Sequence, residues 1–186
     1  MTSFKSETSE ISTSVQYVSD KLDASTLLME EVRILALVKN VEISGLPVTK
    51  NENESELVAD LGAALGVEMK ETDVGAAHRI PSFRTDREPA LIVQFSTKGV
   101  KEQWITKARQ KKSLTARDVN QHFPMQRVYI NDHLSPGNKQ FLANLKQKGR
   151  DLGYKFVWSQ DGKFIERKAE GDPVKKIVYV WKLGQT

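Results

Sequence analysis

The sequence predicts an α+β protein built from three consecutive parts. Three observations lead to this fold class: a heptad repeat at the start of the chain, an alternation of strand-like and helix-like segments in the middle, and a basic final third that ends in a hairpin pattern. The predicted divisions are an oligomerisation helix over residues 1–38, a β-α-β-β-α-β domain over residues 39–131, and a small basic α+β domain over residues 132–186.

The first part repeats apolar residues every seven positions. Two registers run from Phe4 and from Thr8, and together they are apolar at eight of ten positions. This repeat favours a coiled coil over a helix that packs back on its own domain. The partner is expected to be a second copy of the chain, and the β-branched content favours a homotrimer over a homodimer. The residues predicted to form the seam are Ile11, Val15, Val18, Leu22, Met29 and Val32.

The second part begins with a strand, a helix and another strand. Lys39–Pro47 alternates as a strand does. Asn51 or Asn53 can cap a helix that Gly66 ends, and its apolar face is followed by a strand over Asp73–Ile80.

The stretch from Pro89 to Lys112 is the centre of this domain. Its apolar run Ala90–Phe95 predicts a strand in the middle of a sheet, and Ser96 or Thr97 can cap the helix that follows. One helix face is apolar, with Val100, Trp104 and Ala108. The other faces are expected to offer cations to a ligand: Lys101, Lys107, Arg109, Lys111 and Lys112. A polar connection over residues 113–125 and a fourth strand over residues 126–131 complete the order.

The third part reads as a helix followed by a hairpin. Ser135 caps the helix, Pro136 stands at its first position, and Phe141, Leu142, Leu145 and Leu152 form its predicted apolar stripe. Gln160-Asp161-Gly162 predicts a tight turn between two strands, and residues 175–181 read as a last strand. Trp158 suits either the core or base stacking, and the core is favoured because so small a unit needs its aromatic residues for burial.

Charge is distributed unevenly along the chain. The net charge of +4 combines −3 over residues 1–38 and −4 over residues 39–80 with +11 over residues 81–186. A basic half of this kind predicts a site for a polyanion, and nucleic acid is favoured over a purely solubilising role.

Several classes of protein are not expected. No apolar stretch is long enough for a membrane span, and the N-terminus has no hydrophobic signal region. The chain has no cysteine and its three histidines are scattered, so neither a metal nor another cofactor is expected. No catalytic motif is present, and Asp132-His133 is interpreted as a turn. We therefore expect a non-enzymatic protein without a small-molecule substrate, located in the cytoplasm and, as a second compartment, the nucleus.

The order of these segments resembles two known families. The segments are NVEISGLP, AHRIPSFR, ALIVQFSTKGVKEQWITKAR, RVYINDHLSPGNK and LGYKFVWSQDGKFIERK. Together they resemble the first-open-reading-frame protein of LINE-type retrotransposons, which combines a coiled coil, an RNA-recognition-motif-like domain and a basic C-terminal domain. They also resemble the baculoviral few-polyhedra (FP) protein and its insect relatives, most closely over residues 100–168.

The two resemblances imply different functions. The retrotransposon family implies a homotrimer that coats single-stranded RNA and acts as a nucleic-acid chaperone, whereas the FP family implies an assembly factor with protein partners and incidental nucleic-acid binding. The usual stacking aromatics of an RNA-recognition motif are missing, because Glu42, Ala90 and Ile92 stand in their places. Single-stranded RNA or DNA would therefore be held through its backbone. The predicted contacts, in part carried over from the retrotransposon family, are Arg79, Arg84, Arg87, Lys107, Arg109, Lys111, Lys112, Arg117, Lys139, Lys146, Lys155, Lys163, Arg167 and Lys168.

Overall fold

The computed structural model describes residues 2–81 and 87–177, with side chains from residue 8 onward. It confirms the mixed α+β class. A long helix, α1 (Thr2–Leu37), precedes the two mixed units. Its predicted seam residues are exposed, at 56% for Met29 and 64% for Leu22. The long helix is thus present, while its pairing with a second copy stays a prediction.

The middle unit is a four-stranded antiparallel sheet in the order β2-β3-β1-β4. Its strands are β1 (Asn40–Ser44), β2 (Val74–Arg79), β3 (Leu91–Phe95) and β4 (Tyr129–Asp132). A 3-10 turn, Glu71–Asp73, leads into β2. Two helices, α2 (Glu54–Leu65) and α3 (Lys98–Lys111), connect the strands in the predicted β-α-β-β-α-β order. The apolar β3 lies between β2 and β1, as its composition predicts.

The helix ends follow local side-chain chemistry. Asn53 caps α2 by accepting from the backbone N–H groups of the first turn, and Thr97 caps α3 in the same way. The predicted polar connection after α3 is wrong in one respect. It contains a short helix, α4 (Ala116–Val119), because Thr115 and Asp118 form a capping box around its first turn.

The core of the middle unit lies between the sheet and its two helices. Val41 and Ile43 of β1 are fully buried in it. The rings of Phe95 and Trp104 meet at 5.1 Å between centroids, which joins β3 to the apolar stripe of α3. The opposite face of the sheet therefore remains for other contacts.

The C-terminal unit packs one helix on a three-stranded sheet. Its elements are α5 (Pro136–Asp151), β5 (Phe156–Gln160), β6 (Lys163–Arg167) and β7 (Lys175–Ile177), with the strands in the order β5-β6-β7. The rings of Phe141 on α5 and Phe164 on β6 meet at 4.8 Å. Leu152 is not part of the apolar stripe, because it follows the last turn of α5 and is 69% exposed.

The N-terminal helix, the middle unit and the C-terminal unit meet around Lys101. This residue was expected on a solvent-facing side of α3, but only 1% of its side chain is exposed. Its Nζ lies 2.7 Å from Asp132 Oδ1 at the end of β4 and 3.1 Å from Asp161 Oδ1 in the β5-β6 turn. Lys98 Nζ lies 2.7 Å from the other oxygen of Asp161. A buried ammonium needs such partners, because an unpaired buried charge is very unfavourable.

The end of α1 docks on the same junction. Ser135 Oγ donates to Glu30 Oε1 at 2.8 Å, so α1 reaches the start of α5. Ile34 contacts Gly162 beside Asp161, where a Cβ at position 162 would collide with the isoleucine. The docking residues lie one helical turn apart, while Met29 and Val32 stay exposed on another part of α1.

The carboxyl groups of the cluster have opposite pKa shifts. Burial raises the pKa of Asp161, but its hydrogen bonds from Lys98 and Lys101 outweigh burial, and the net pKa is lowered. Burial and the neighbouring Asp161 charge raise the pKa of Glu102. Burial lowers the pKa of Lys101, yet Asp132 and Asp161 outweigh it, so the net pKa is raised.

Amide substitutions at these two neighbouring carboxyls are expected to have different effects. A lowered pKa means that Asp161 stabilises the fold above its unfolded pKa, and that this contribution is lost as the pH falls through the folded value. Asp161→Asn should therefore reduce the free energy of unfolding at neutral pH by about 1–3 kcal/mol. Glu102→Gln should be neutral or stabilising, because its carboxylate costs stability when ionised. Urea unfolding at neutral pH measures both, and equal destabilisation by the two changes would contradict this account.

Candidate nucleic-acid interface

The outer edge of β4 borders a groove between the middle and C-terminal units. β4 is an edge strand of the sheet. Its residues line one cavity together with α3 and a second cavity together with α5 and β5. Two adjoining cavities, of about 430 and about 320 Å³, share Arg109 and Asn131 in their walls. We call these two cavities together the β4-edge groove.

The first cavity is lined by cations and one tyrosine. Arg109 and Lys112 come from the end of α3, and Arg127 comes from the segment that leads into β4. Basic residues at a helix C-terminus also complement the helix dipole. Arg127 donates to the backbone carbonyl of Lys112 and stands 5.5 Å from the centre of the Tyr129 ring. The Tyr129 side chain is 51% exposed.

The second cavity adds two lysines of α5 and one tryptophan. Lys139 and Lys146 line it with Trp158 of β5. Lys139 is already paired, because its Nζ lies 2.5 Å from Glu42 Oε2 on β1. An anionic ligand that binds Lys139 must therefore displace the Glu42 carboxylate.

The sheet face itself offers no stacking platform at the usual positions. The paired residues His78, Ile92, Glu42 and Asn131 form one row across the four strands. Ile92 and Glu42 occupy the middle of that row, which confirms their predicted placement. The edge strand does carry an aromatic ring, Tyr129, which is paired with Ser44.

Four of the predicted nucleic-acid contacts converge on the groove. They are Arg109, Lys112, Lys139 and Lys146. Sequence reasoning missed Arg127, Tyr129 and Asn131. Their alternation with the buried Val128 and Ile130 is a signal in the sequence that could have found them, because alternate strand residues share one face.

The remaining predicted contacts lie elsewhere. Lys107 lines a separate cavity with Lys70 and Glu68, and Lys111 donates to the Ala64 carbonyl at 2.6 Å. Two more cations stand over rings: Arg167 over Phe156 at 4.7 Å and Lys168 over Tyr154 at 5.5 Å. Arg117 donates to the carbonyl of Phe123.

Three further predicted contacts, Arg87, Lys155 and Lys163, are exposed on the surface and do not line the groove. Arg84 lies outside the described residues.

Arg79 is bound internally by all five of its N–H donors. Its guanidinium makes two 2.8 Å hydrogen bonds to Glu52 and three more to the backbone carbonyls of Leu46, Pro47 and Pro89. Only 13% of its side chain is exposed. This geometry ties the end of β2 to the connection between β1 and α2 and to the segment before β3. It leaves no donor for a phosphate, so we leave Arg79 out of the interface.

The described residues contain no group of three or more histidine and carboxylate side chains placed to hold a metal ion. Within the same residues, no helix combines the length and apolar character needed to cross a membrane.

The fold and the groove together define a class of protein: a long helix followed by a β-α-β-β-α-β domain and a small basic α+β domain, with a cationic groove lined by both domains. Comparison with protein families gives two matches, Baculovirus FP protein domain 1 over residues 38–130 and Baculovirus FP protein domain 2 over residues 135–181. The chain belongs to the baculovirus FP protein family. A search of curated proteins finds no match. The likeness to retrotransposon proteins stays a prediction.

Arg79 is expected to contribute to stability. The hydrogen bond from Arg79 is the largest cause that lowers the pKa of Glu52. The pair therefore stabilises the fold above the unfolded pKa of a glutamate, about 4.3, and this contribution is lost as the pH falls through the folded value. Arg79→Met should reduce the free energy of unfolding at neutral pH by roughly 2–4 kcal/mol.

The control is Lys107→Met, which removes one exposed positive charge outside the groove. Urea unfolding should show little change for Lys107→Met, and the deficit of Arg79→Met should shrink at acidic pH. A deficit that does not depend on pH would mean that Arg79 acts through its backbone carbonyl contacts alone.

Proposed function

We propose that this protein is not an enzyme but binds single-stranded nucleic acid. It would hold single-stranded RNA or single-stranded DNA in the β4-edge groove. The observation that supports this proposal is the convergence of five cations on one groove from separate elements. Arg109, Lys112 and Arg127 line one cavity, and Lys139 and Lys146 line the adjoining one. Phosphates of a flexible strand can follow such a row.

The distribution of these cations over two cavities favours a chain of charges as ligand over a single anion. Among the described residues, the side chains of Arg109, Lys112 and Lys146 have no hydrogen-bond or ion-pair partner, so an incoming phosphate need not displace one. Lys139 can bind an anionic ligand only if that ligand replaces the Glu42 carboxylate. A ligand with a single carboxylate would replace it poorly. A strand that engages several cations together gains the advantage of linked contacts.

Oligomerisation through α1 would raise the overall affinity for nucleic acid. The exposed seam of α1 points to self-association, because an apolar stripe this long is otherwise unfavourable in water. Two or three linked grooves can raise the overall affinity by roughly a hundredfold. Many weak, exchangeable contacts of this kind also suit a nucleic-acid chaperone and coat.

The second candidate is an assembly factor of the FP type. Membership of the baculovirus FP protein family supports this candidate more directly than it supports RNA binding. The exposed apolar residues of α1 also support it, since they suit protein partners as well as a second copy. In this case nucleic-acid binding is incidental and the main partners are proteins.

Binding of a generic single-stranded RNA over a salt series tests the first candidate. Each phosphate contact contributes a slope of about −0.7 in log affinity against log salt, so five contacts predict roughly −3 to −4. The double reversal Arg109→Glu with Lys112→Glu should lower affinity at least about tenfold for every sequence, because it acts on backbone contacts. The matched control reverses Lys70 and Lys107, which line the separate cavity. Equal losses in both double variants, or a flat salt slope in the wild type, would favour the assembly factor.

Leu22→Asp is expected to break the self-association of α1. A carboxylate in the seam would be buried without a partner in any coiled coil. Leu27→Asp is the control, because Leu27 is also exposed, at 52% against 64% for Leu22, but stands outside both registers. Light scattering should give a smaller mass for Leu22→Asp only. A monomeric wild type would contradict the coiled coil without bearing on the groove.

A further inference from the structure

Tyr129 is an exposed aromatic residue inside the cationic groove. It belongs to the edge strand β4, and its side chain is 51% exposed while the neighbouring Val128 and Ile130 are buried. A single exposed aromatic residue needs no explanation by itself. Its surroundings are more informative, since the same cavity wall contains Arg109, Lys112 and Asn131.

The ring of Tyr129 is held in place from one side. The Arg127 guanidinium lies 5.5 Å from the ring centre, within cation–π range, and Arg127 is itself fixed by donating to the Lys112 carbonyl. Holding the ring in this way lowers the entropy that a stacking ligand must remove. The cavity that Tyr129 lines, of about 430 Å³, has room for a nucleobase beside the ring.

A polar group for the edge of a base is also present. Asn131 lies two residues after Tyr129 on the same face of β4 and lines both cavities. Its carboxamide offers two N–H donors and an acceptor, which suits the exposed edge of an unpaired base. Cations line both of the cavities that share Asn131: Arg109 and Lys112 in the first, Lys139 and Lys146 in the second.

We propose that Tyr129 is a base-stacking residue of the groove, held by Arg127, and that it makes the site selective for unpaired bases over other polyanions. The inference rests on the proposed nucleic-acid function and goes beyond backbone binding. In a usual RNA-recognition motif the stacking rings stand on the two middle strands, and here that task passes to the edge strand. A duplex keeps its bases stacked and cannot offer one to Tyr129.

The test compares four probes of equal length on the full chain: single-stranded RNA, the duplex of the same sequence, a strand with abasic positions, and inorganic polyphosphate. Tyr129→Ala should weaken single-stranded RNA binding about tenfold or more, since stacking on an aromatic residue contributes that much per base. Binding of the other three probes should change less than twofold. Tyr129→Phe should retain the affinity, because it keeps the ring.

The matched control is Tyr17→Ala. Tyr17 is 62% exposed and has a lysine, Lys21, over its ring at 5.6 Å, but it lies on α1 outside the groove. Tyr17→Ala should leave all four affinities unchanged. The inference is overturned if Tyr129→Ala weakens all probes equally or none. If wild-type protein binds no RNA, or binds it with no loss on Arg109 and Lys112 reversal, the proposed function fails first, so the two failures are distinguishable.

Discussion

The buried ammonium of Lys101 is the interaction on which the relative placement of the three units depends. It joins α3 to the end of β4 through Asp132 and to the β5-β6 turn through Asp161. The end of α1 closes over the same turn through Ile34. A positive charge that is 99% removed from solvent tolerates few alternative geometries, because each carboxylate must stay within ion-pair distance. The cluster therefore restricts the relative placement of the units more tightly than an apolar contact would.

This connection positions the candidate site. The groove has one wall on α3 and another on α5 and β5, and Arg109 of the first wall faces a space lined by Lys139 and Trp158 of the second. Lys101 and Arg109 lie two helical turns apart on α3. The helix that carries the cluster thus also carries the cation shared by the two cavities. Separation of the two units would leave both walls as ordinary basic surfaces.

Burial and pairing with carboxylates distinguish the cations that stabilise the fold from those that remain available to a ligand. Arg79 and Lys101 are largely buried and paired with carboxylates, so their charges stabilise the fold. Arg109 and Lys146 sit where no carboxylate of the described residues pairs with them. Lys139 is intermediate, since Glu42 pairs with it in a half-exposed position. The two FP family models match residues 38–130 and residues 135–181, and the groove lies where these two segments meet.

All the helices and strands of the two mixed units except the short helix α4 could be predicted from the sequence, because their signals are local. Caps such as Asn53 and Thr97, the apolar run of β3 and the turn at Asp161 act within a few residues of where they stand. Four groove cations could also be predicted from charge and resemblance.

Which cations are buried and which face the groove depends on the tertiary fold, not on the local sequence. The local sequence around a lysine does not show whether its ammonium contacts water or an aspartate. The partner of Lys101, Asp161, lies 60 residues away along the chain. The partners that bury Arg79 and Lys101 come together only when distant segments pack, so their roles follow from the fold rather than from any local pattern.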